Sequence, residues 1–457
     1  MLLLWLIGPV VFWVSYVGFT RGAVTRHLGF LHFAYYFVGV YGSAYLLYAD
    51  RGGTNTTFLA TVIAYPFCAL AGMAAARLVA PRRIVGWGEV TDDPREAVLV
   101  WATVGFFLAL FAVYLFSLGP EIPLLKALAG SDPRDVRLAR YLATKGYAGE
   151  GVGGLRIWYW LPRVLLDYVA AFVVVFTYYR VRARGRGGLR LFAVFIGMAA
   201  LAFTATEKYP VVKLILILAL CHFNAPRPRF GWRALVTAFW LGLAGVFVSG
   251  VVYAAANGYF VGAQGASLLR APWRLGSLGW ELLISRGVVG QAVPLYMIYD
   301  LIPQTMDFFG GITLPNPLGV FPYEAVALPP LIADTYITGE PGVQTSDPTV
   351  FFGELYANWG TAAAIAGMVV FGFVVQLVHQ GLTRPRRRPR TAFDVAFFYL
   401  IMLYVADFAI GFIMIVYDER VLAFIALYLA RALFLRRGPR AQRRVPAAEG
   451  RPVVGAA

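Results

Sequence analysis

Residues 277–302 read SLGWELLISRGVVGQAVPLYMIYDLI, and whether this stretch crosses a membrane decides how the rest of the chain is threaded. It is apolar enough to be mistaken for a span, yet it contains Glu281, Arg286, Gln291 and Pro294. If it crossed, the acidic stretch 303–347 would face inward and the cluster Arg384–Arg390 outward, two violations of the rule that basic loops stay inside. A helix that lies on, or dips into, the outer face obeys the rule. The stretch then belongs to one long loop, 257–348, that holds seven acids, three arginines and many prolines, glycines and aromatics. A loop of that length with no regular hydrophobic span is usually functional.

Outward from that loop, nearly everything reads as membrane helix. The chain is 60% apolar and 14% charged, with a mean hydropathy of +0.67. Soluble chains carry roughly 25% charged residues. Windows long enough for a bilayer core occur at 1–20, 28–49, 56–80, 97–118, 157–179, 189–206, 208–223, 232–256, 349–380, 392–416 and 419–436. The fold expected is all-α and polytopic: a single membrane domain over 1–437 with about eleven transmembrane helices. Outer loops are expected at 119–156 and 257–348, the latter with interfacial or re-entrant helices, and a disordered basic cytoplasmic tail at 438–457. The first window has no basic residue before it and no small-x-small cleavage site, which reads as a retained helix rather than a signal peptide.

The formal net charge of +16 does not point to nucleic acid, because the arginines sit in short runs between apolar windows, as orientation signals do. Those runs (Arg21 and Arg26; Arg77 to Arg83; Arg180 to Arg190; Arg227 to Arg233; Arg384 to Arg390; the tail from Arg436) alternate with loops that lack them. The N-terminus is therefore expected outside and the C-terminus in the cytoplasm. Cys68 and Cys221 both fall in apolar windows, so neither a disulfide framework nor a metal cluster is built from them. All four lysines, Lys126, Lys145, Lys208 and Lys213, fall in the outer half, where the charge rule disfavours cations.

Several constellations carry chemistry in this topology. In SDPRDVRLARYLATKGY, residues 131–147, Ser131 or Asp132 can cap a helix with Pro133 in its first turn. Arg134, Arg137 and Arg140 then share a face, which suits phosphate; a solvated face partly neutralised by Asp132 and Asp135 is the alternative. Arg156 and Arg163 stand at the outer entrance of the fifth window, Arg163 deep enough to be functional unless it snorkels. Glu207 and Lys208 form a hairpin tip, and Lys213 further in asks for an anionic partner at the outer interface. Arg270, Arg274, Glu281 and Arg286 precede Gln291, Tyr296 and Asp300 in the long loop, whose aromatics either stack on sugars or form an interfacial belt. In SDPTVFFGELYANWG, Asp347 and Pro348 read as a helix start, with Glu354, Asn358 and Thr361 as a polar stripe beside small residues Gly353, Ala357, Gly360 and Ala364. Asp407 and Arg431 fall at equal depth if the last two windows turn near Asp418, and read as a structural ion pair.

The order of these features resembles the O-antigen polymerases, the Wzy-like oligosaccharide repeat-unit polymerases of bacterial envelopes. The resemblance is carried by Arg286, Gln291 and Tyr296, then Gly310-Gly311, then Gly353-Glu354-Leu355-Tyr356-Ala357-Asn358-Trp359-Gly360, and by the arginine loop and the hairpin lysine earlier in the chain. It implies transfer of a growing glycan from polyprenyl diphosphate onto a lipid-linked acceptor at the outer face of the bacterial cytoplasmic membrane, with no cofactor or metal. Arg137, Arg140, Arg156, Arg163, Lys208, Lys213, Arg270 and Arg274 would meet the diphosphate, together with Arg286. Glu281 and Glu354 are the candidate bases, and Tyr296 and Asn358 would contact glycan. A chain-length regulator and a flippase are the implied partners, and nucleic acid is not. An O-antigen ligase would be expected to carry an outer-loop histidine, whereas His27, His32, His222 and His379 all map to the cytoplasmic half. A secondary transporter would show paired ionisable residues near the midplane and broken helices. A nucleotide-sugar glycosyltransferase would need paired acids outside, but Asp92-Asp93 lies in a cytoplasmic loop.

Overall fold

In a computed structural model the chain is an all-α protein, described at residues 1–80, 90–129, 131–144, 164–204, 209–224, 240, 244, 247, 277, 281, 291–314, 322–336, 350–384, 389–409, 411 and 419–436. The helices are α1 (Leu2–Thr20), α2 (Phe30–Tyr36), α3 (Gly42–Asp50), α4 (Thr56–Val79), α5 (Pro94–Leu118), α6 (Pro123–Ala129), α7 (Pro133–Thr144), α8 (Ala170–Arg184), α9 (Gly188–Thr204), α10 (Tyr209–Asn224), α11 (Ala292–Leu301), α12 (Leu328–Ala333), α13 (Phe351–Thr383), α14 (Ala392–Asp407) and α15 (Glu419–Arg436). A π-helical turn, Phe37–Tyr41, joins α2 to α3, and another, Val164–Val169, leads into α8.

Among the described residues six helices are long and apolar enough to cross a membrane: Leu2–Thr20, Phe30–Asp50, Thr56–Val79, Pro94–Lys126, Val164–Arg184 and Phe351–Thr383. Of the remaining expected windows, 189–206, 208–223, 392–416 and 419–436 are occupied by α9, α10, α14 and α15, which are shorter. Residues 232–256 are described only at Trp240, Ala244 and Phe247, and 438–457 lie outside the described residues. The flanks of these helices carry bare apolar side chains, such as Phe116 at 90% exposure and Leu189 at 82%. Water would penalise that surface and hydrocarbon would not.

Polar residues at the helix starts act locally. Asn55 accepts a hydrogen bond from the Phe58 amide, Asp93 from that of Arg95, and Asp132 from that of Arg134, each meeting an amide that lacks a helical partner. Asp132, rather than Ser131, is thus the cap expected ahead of Pro133, and the helix it starts is α7. Thr391 and Asp394 form a reciprocal cap on α14.

Loops that the charge rule assigns to one side do meet at one end of the bundle. Val90–Thr91, between α4 and α5, pairs in parallel with Arg390–Thr391, between α13 and α14. Thr25, after α1, donates a hydrogen bond of 2.6 Å to Asn224 at the end of α10. Arg180 and Arg184 at the end of α8 grip Asp92 at 2.6 and 2.5 Å. Arg431 lies at this same end, bonded to Glu96 at 2.5 Å and Asp394 at 2.8 Å. The expected pair of Asp407 with Arg431 is therefore not formed. Helix α14 stops at Asp407, well before residue 416, and Arg431 meets Asp394 in its first turn, so Asp407 and Arg431 stand at opposite ends of α14.

Residues 292–301, the second half of the opening stretch, form α11, a ten-residue helix and so only about 15 Å long. It is half the length a crossing requires. It does not lie on a surface: Leu295, Tyr296, Ile298 and Tyr299 are all buried, and Phe58 at the start of α4 packs on Tyr296 and Tyr299 at 5.2 and 5.9 Å between ring centres.

Helices α4 and α13 cross with their backbones in contact. A Cβ added to Gly372 would lie 1.9 Å from the Ala69 carbonyl oxygen, and one added to Gly72 would lie 2.0 Å from that of Val369. Here small residues permit close approach. Gly372→Ala is expected to cost roughly 1–3 kcal/mol by overpacking. Gly105→Ala, with open space around it, should be neutral or stabilising by up to about 1 kcal/mol. Thermal unfolding of the two variants in detergent checks the contrast; equal melting temperatures would contradict the crossing.

Candidate functional site

The chain reverses inside α13. Gly360 has φ 79° and ψ −168°, a conformation open essentially to glycine alone. Along an unbroken helix Phe351 and Phe371 would stand about 30 Å apart; their ring centres are 4.7 Å apart. A Cβ on Gly367 would fall 2.0 Å from Leu355 Cδ1. Residues 351–359 are therefore a half-helix folded back against 361–383, and the second arm alone has the roughly 20 residues a crossing needs. The half-helix starts inside the bundle, with Val350 as its cap residue in place of the expected Asp347 and with its first amide, Phe351 N–H, donating to the Phe408 carbonyl at 3.3 Å. Asp347 and Pro348 themselves lie outside the described residues.

At the other end of the half-helix, carbonyls left without helical partners are met by the segment Phe309–Thr313. Phe309 N–H donates to Ala357 O and Gly310 N–H to Asn358 O, both at 3.0 Å. Gly311 N–H donates to Asn358 Oδ1 at 2.7 Å. Asn358 Nδ2 donates to Thr313 Oγ1 at 2.6 Å and to the Glu354 carbonyl at 2.9 Å, which fixes the orientation of the amide. Thr313 Oγ1 in turn donates to Glu354 Oε1 at 3.1 Å. Glu354 is 2% exposed and Asn358 1%. Positive φ at Gly310 (60°) and Gly311 (105°) lets the loop turn into this dock, and a side chain on Gly311 would meet Trp359. Tyr356 stacks on Tyr299 at 3.7 Å and donates to the Ile302 carbonyl at 3.0 Å, tying α11 to the half-helix.

The structure thus brings together Gly310-Gly311 and the Gly353–Gly360 string, some forty residues apart in sequence. Glu354 faces the interior, as its stripe of neighbours implies. Thr361 does not extend that stripe, because the reversal at Gly360 carries it away and leaves it exposed. Tyr296 is buried and packs edge to face with Phe58. Glu281 is exposed. Arg140 is half-buried on α7, while Arg137 is on the same helix with its side chain outside the described set. Arg156, Arg163, Lys208, Arg270, Arg274 and Arg286 lie outside the described residues.

Lys213 has an anionic partner, but an internal one. Its ammonium lies 3.0 and 3.2 Å from the two carboxylate oxygens of Asp407 and 5.1 Å from the centre of the Tyr168 ring, with lysine 1% exposed. Tyr168 donates its hydroxyl to Asp407. The expectation of an anion at the outer interface is corrected accordingly: α14 ends where it delivers a carboxylate to the first turns of α10. The next residue, Phe408, supplies the carbonyl that receives the start of the half-helix. Tyr168 also walls an apolar cavity of about 260 Å³ between α5, α8, α14 and α15. Sequence reasoning missed this triad, although an aspartate and a lysine each isolated in an apolar window were the available signal.

Asp407→Asn removes the carboxylate charge beside a buried ammonium and is expected to cost roughly 3–5 kcal/mol, whereas the Lys213→Met, Asp407→Leu double variant should recover most of that loss. Melting temperatures of the purified chain check it, and a double variant less stable than either single one would contradict the pairing. Compared with models of protein families, with characterised proteins and with solved structures, the chain matches none of them.

Proposed function

We propose that this protein polymerises lipid-linked oligosaccharide repeat units at the outer face of the bacterial cytoplasmic membrane, in O-antigen, capsule or exopolysaccharide synthesis. The observation that carries the reading is the dock between Gly310–Thr313 and the half-helix, which holds the Glu354 carboxylate in an apolar bundle. These are the segments on which the resemblance to repeat-unit polymerases rests, and here they act as one hydrogen-bonded unit. The finer topology belongs to the same reading: about eleven spans, an external N-terminus and a cytoplasmic C-terminus, in keeping with the arginine-rich loops that gather at one end.

In this mechanism the acceptor hydroxyl attacks the anomeric carbon of the growing glycan. The bond from that carbon to the diphosphate breaks, polyprenyl diphosphate leaves, and the hydroxyl proton passes to a carboxylate. Glu354 is the better placed of the two candidate bases, because burial and neighbouring hydrogen-bond donors hold it in one geometry while Glu281 is exposed. Asn358 positions Glu354 through Thr313. Guanidinium groups of the outer loops, Arg286 and Arg140 among them, meet the charge developing on the leaving diphosphate.

The test is elongation of a polyprenyl-diphosphate-linked repeat unit by the purified full-length chain, read as polymer length on gels. Glu354→Gln should lower the rate by about 10²-fold or more at unchanged melting temperature, the usual scale for a positioned proton acceptor. Wild-type rates in that variant would remove Glu354 from the mechanism. A second reading, secondary transport of a charged solute, is favoured by the buried Lys213–Asp407 pair beside a half-helix whose amide end points inward. Solute uptake into proteoliposomes, with no elongation of the lipid-linked substrate, would replace the first reading with this one.

A further inference from the structure

At the end of the bundle that holds the paired strands, a cavity of about 290 Å³ opens between α5, α8 and α9. Its walls include Trp101, Thr177, Arg180, Arg184, Arg186 and Arg190. One carboxylate, Asp92, faces these four guanidinium groups, bonded to Arg180 at 2.6 Å and Arg184 at 2.5 Å. Burial alone would push the Asp92 carboxyl up, but the hydrogen bonds and charges of Arg180 and Arg184 outweigh it and hold it below the usual carboxylate range, so it stays ionised. Among the described residues, four guanidinium groups thus stand against one carboxylate. Arg190 lies over the Trp101 ring at 5.1 Å and, like Arg186, has no carboxylate partner among the described residues.

Orientation signals alone explain arginines at a helix end, but not the two neutral groups beside them. Thr177 and Trp101 stand in the cavity wall, and their Oγ1 and Nε1 are enclosed with no hydrogen-bond partner, Thr177 being only 3% exposed. Buried donors left unmade carry a free-energy cost, and native structures rarely keep them so without a ligand or water. Several guanidinium groups around one space, with an unpartnered hydroxyl and indole N–H in its wall, are donors of the kind that suit phosphate oxygens. The surface beside the cavity is apolar and bare: Val98, Leu189, Phe192 and Ile196 are exposed at 63%, 82%, 62% and 48%. A headgroup seated among the arginines would let its acyl chains run down these faces of α5 and α9.

We propose that this cavity binds the phosphate of an anionic glycerophospholipid, through Arg186, Arg190, Thr177 and Trp101, with the acyl chains on the exposed flanks of α5 and α9. Basic pockets between membrane helices are a recurring seat for such headgroups. The site is separate from the Glu354 dock, so it stands whether or not the chain is a glycosyltransferase.

The test uses delipidated full-length protein titrated with phosphatidylglycerol, with phosphatidylcholine of the same acyl chains, and with inorganic phosphate, read by melting temperature and native mass spectrometry. The wild type should bind phosphatidylglycerol at least 10-fold more tightly than phosphatidylcholine. Arg186→Ala, Arg190→Ala should erase that preference, and Trp101→Phe, which keeps the ring and removes only the N–H, should weaken it about 3-fold or more. Arg186 and Arg190 take no part in the Asp92 pairing, so the double variant should keep the wild-type melting temperature in phosphatidylcholine. Tight binding of inorganic phosphate without any lipid preference would overturn the lipid assignment and leave a soluble phosphate as the ligand. Equal phosphatidylglycerol binding by wild type and both variants would overturn the site altogether.

Discussion

A helix that ends leaves carbonyls without helical partners, and a buried one costs free energy unless another group meets it. The half-helix 351–359 ends in this way at Gly360. Its last carbonyls are met by backbone amides of Phe309 and Gly310, and Asn358 holds both Gly311 and Thr313. The reversal, the docking of the loop and the setting of Glu354 are thus consequences of one requirement for satisfied backbone. Glycines occur where that requirement forces positive φ or bare backbone contact, at Gly310, Gly311 and Gly360.

Charge is treated differently at the two ends of the bundle. At the end with the paired strands, Arg180, Arg184 and Arg431 meet Asp92, Glu96 and Asp394 and tie consecutive loops to one another. Nearer the opposite end the pair of Lys213 with Asp407 is buried and backed by Tyr168. An enclosed pair of this kind contributes little net stability relative to apolar replacements but makes the loss of either partner expensive. It therefore fixes how α10 and α14 are positioned, next to the point where the half-helix begins.

The half-helix also explains why residues 292–301 form neither a span nor a surface helix. Helix α11 is too short to cross, yet its tyrosines are enclosed by Phe58 on one side and by Tyr356 of the half-helix on the other. A buried short helix is possible here because the reversal at Gly360 creates a second layer for it to pack against. The tyrosines of α11 are thereby enclosed instead of spread over a surface.

What the sequence determined by itself were properties that are local or that sum along the chain. Hydropathy marked the six helices of crossing length and the shorter apolar ones; Asp132 and Pro133 marked the start of α7; the arginine runs marked which loops share an end. The isolated Glu354 was legible as an inward-facing carboxylate because its helical neighbours are small or apolar. The tertiary structure alone decided the partners. Lys213 meets Asp407 and Arg431 meets Glu96 and Asp394 because α14 ends at Asp407, and a hydropathy window extending to residue 416 conceals that end. The reversal at Gly360 was equally hidden, since the hydropathy window 349–380 runs through it and only backbone angles separate a long helix from two antiparallel arms.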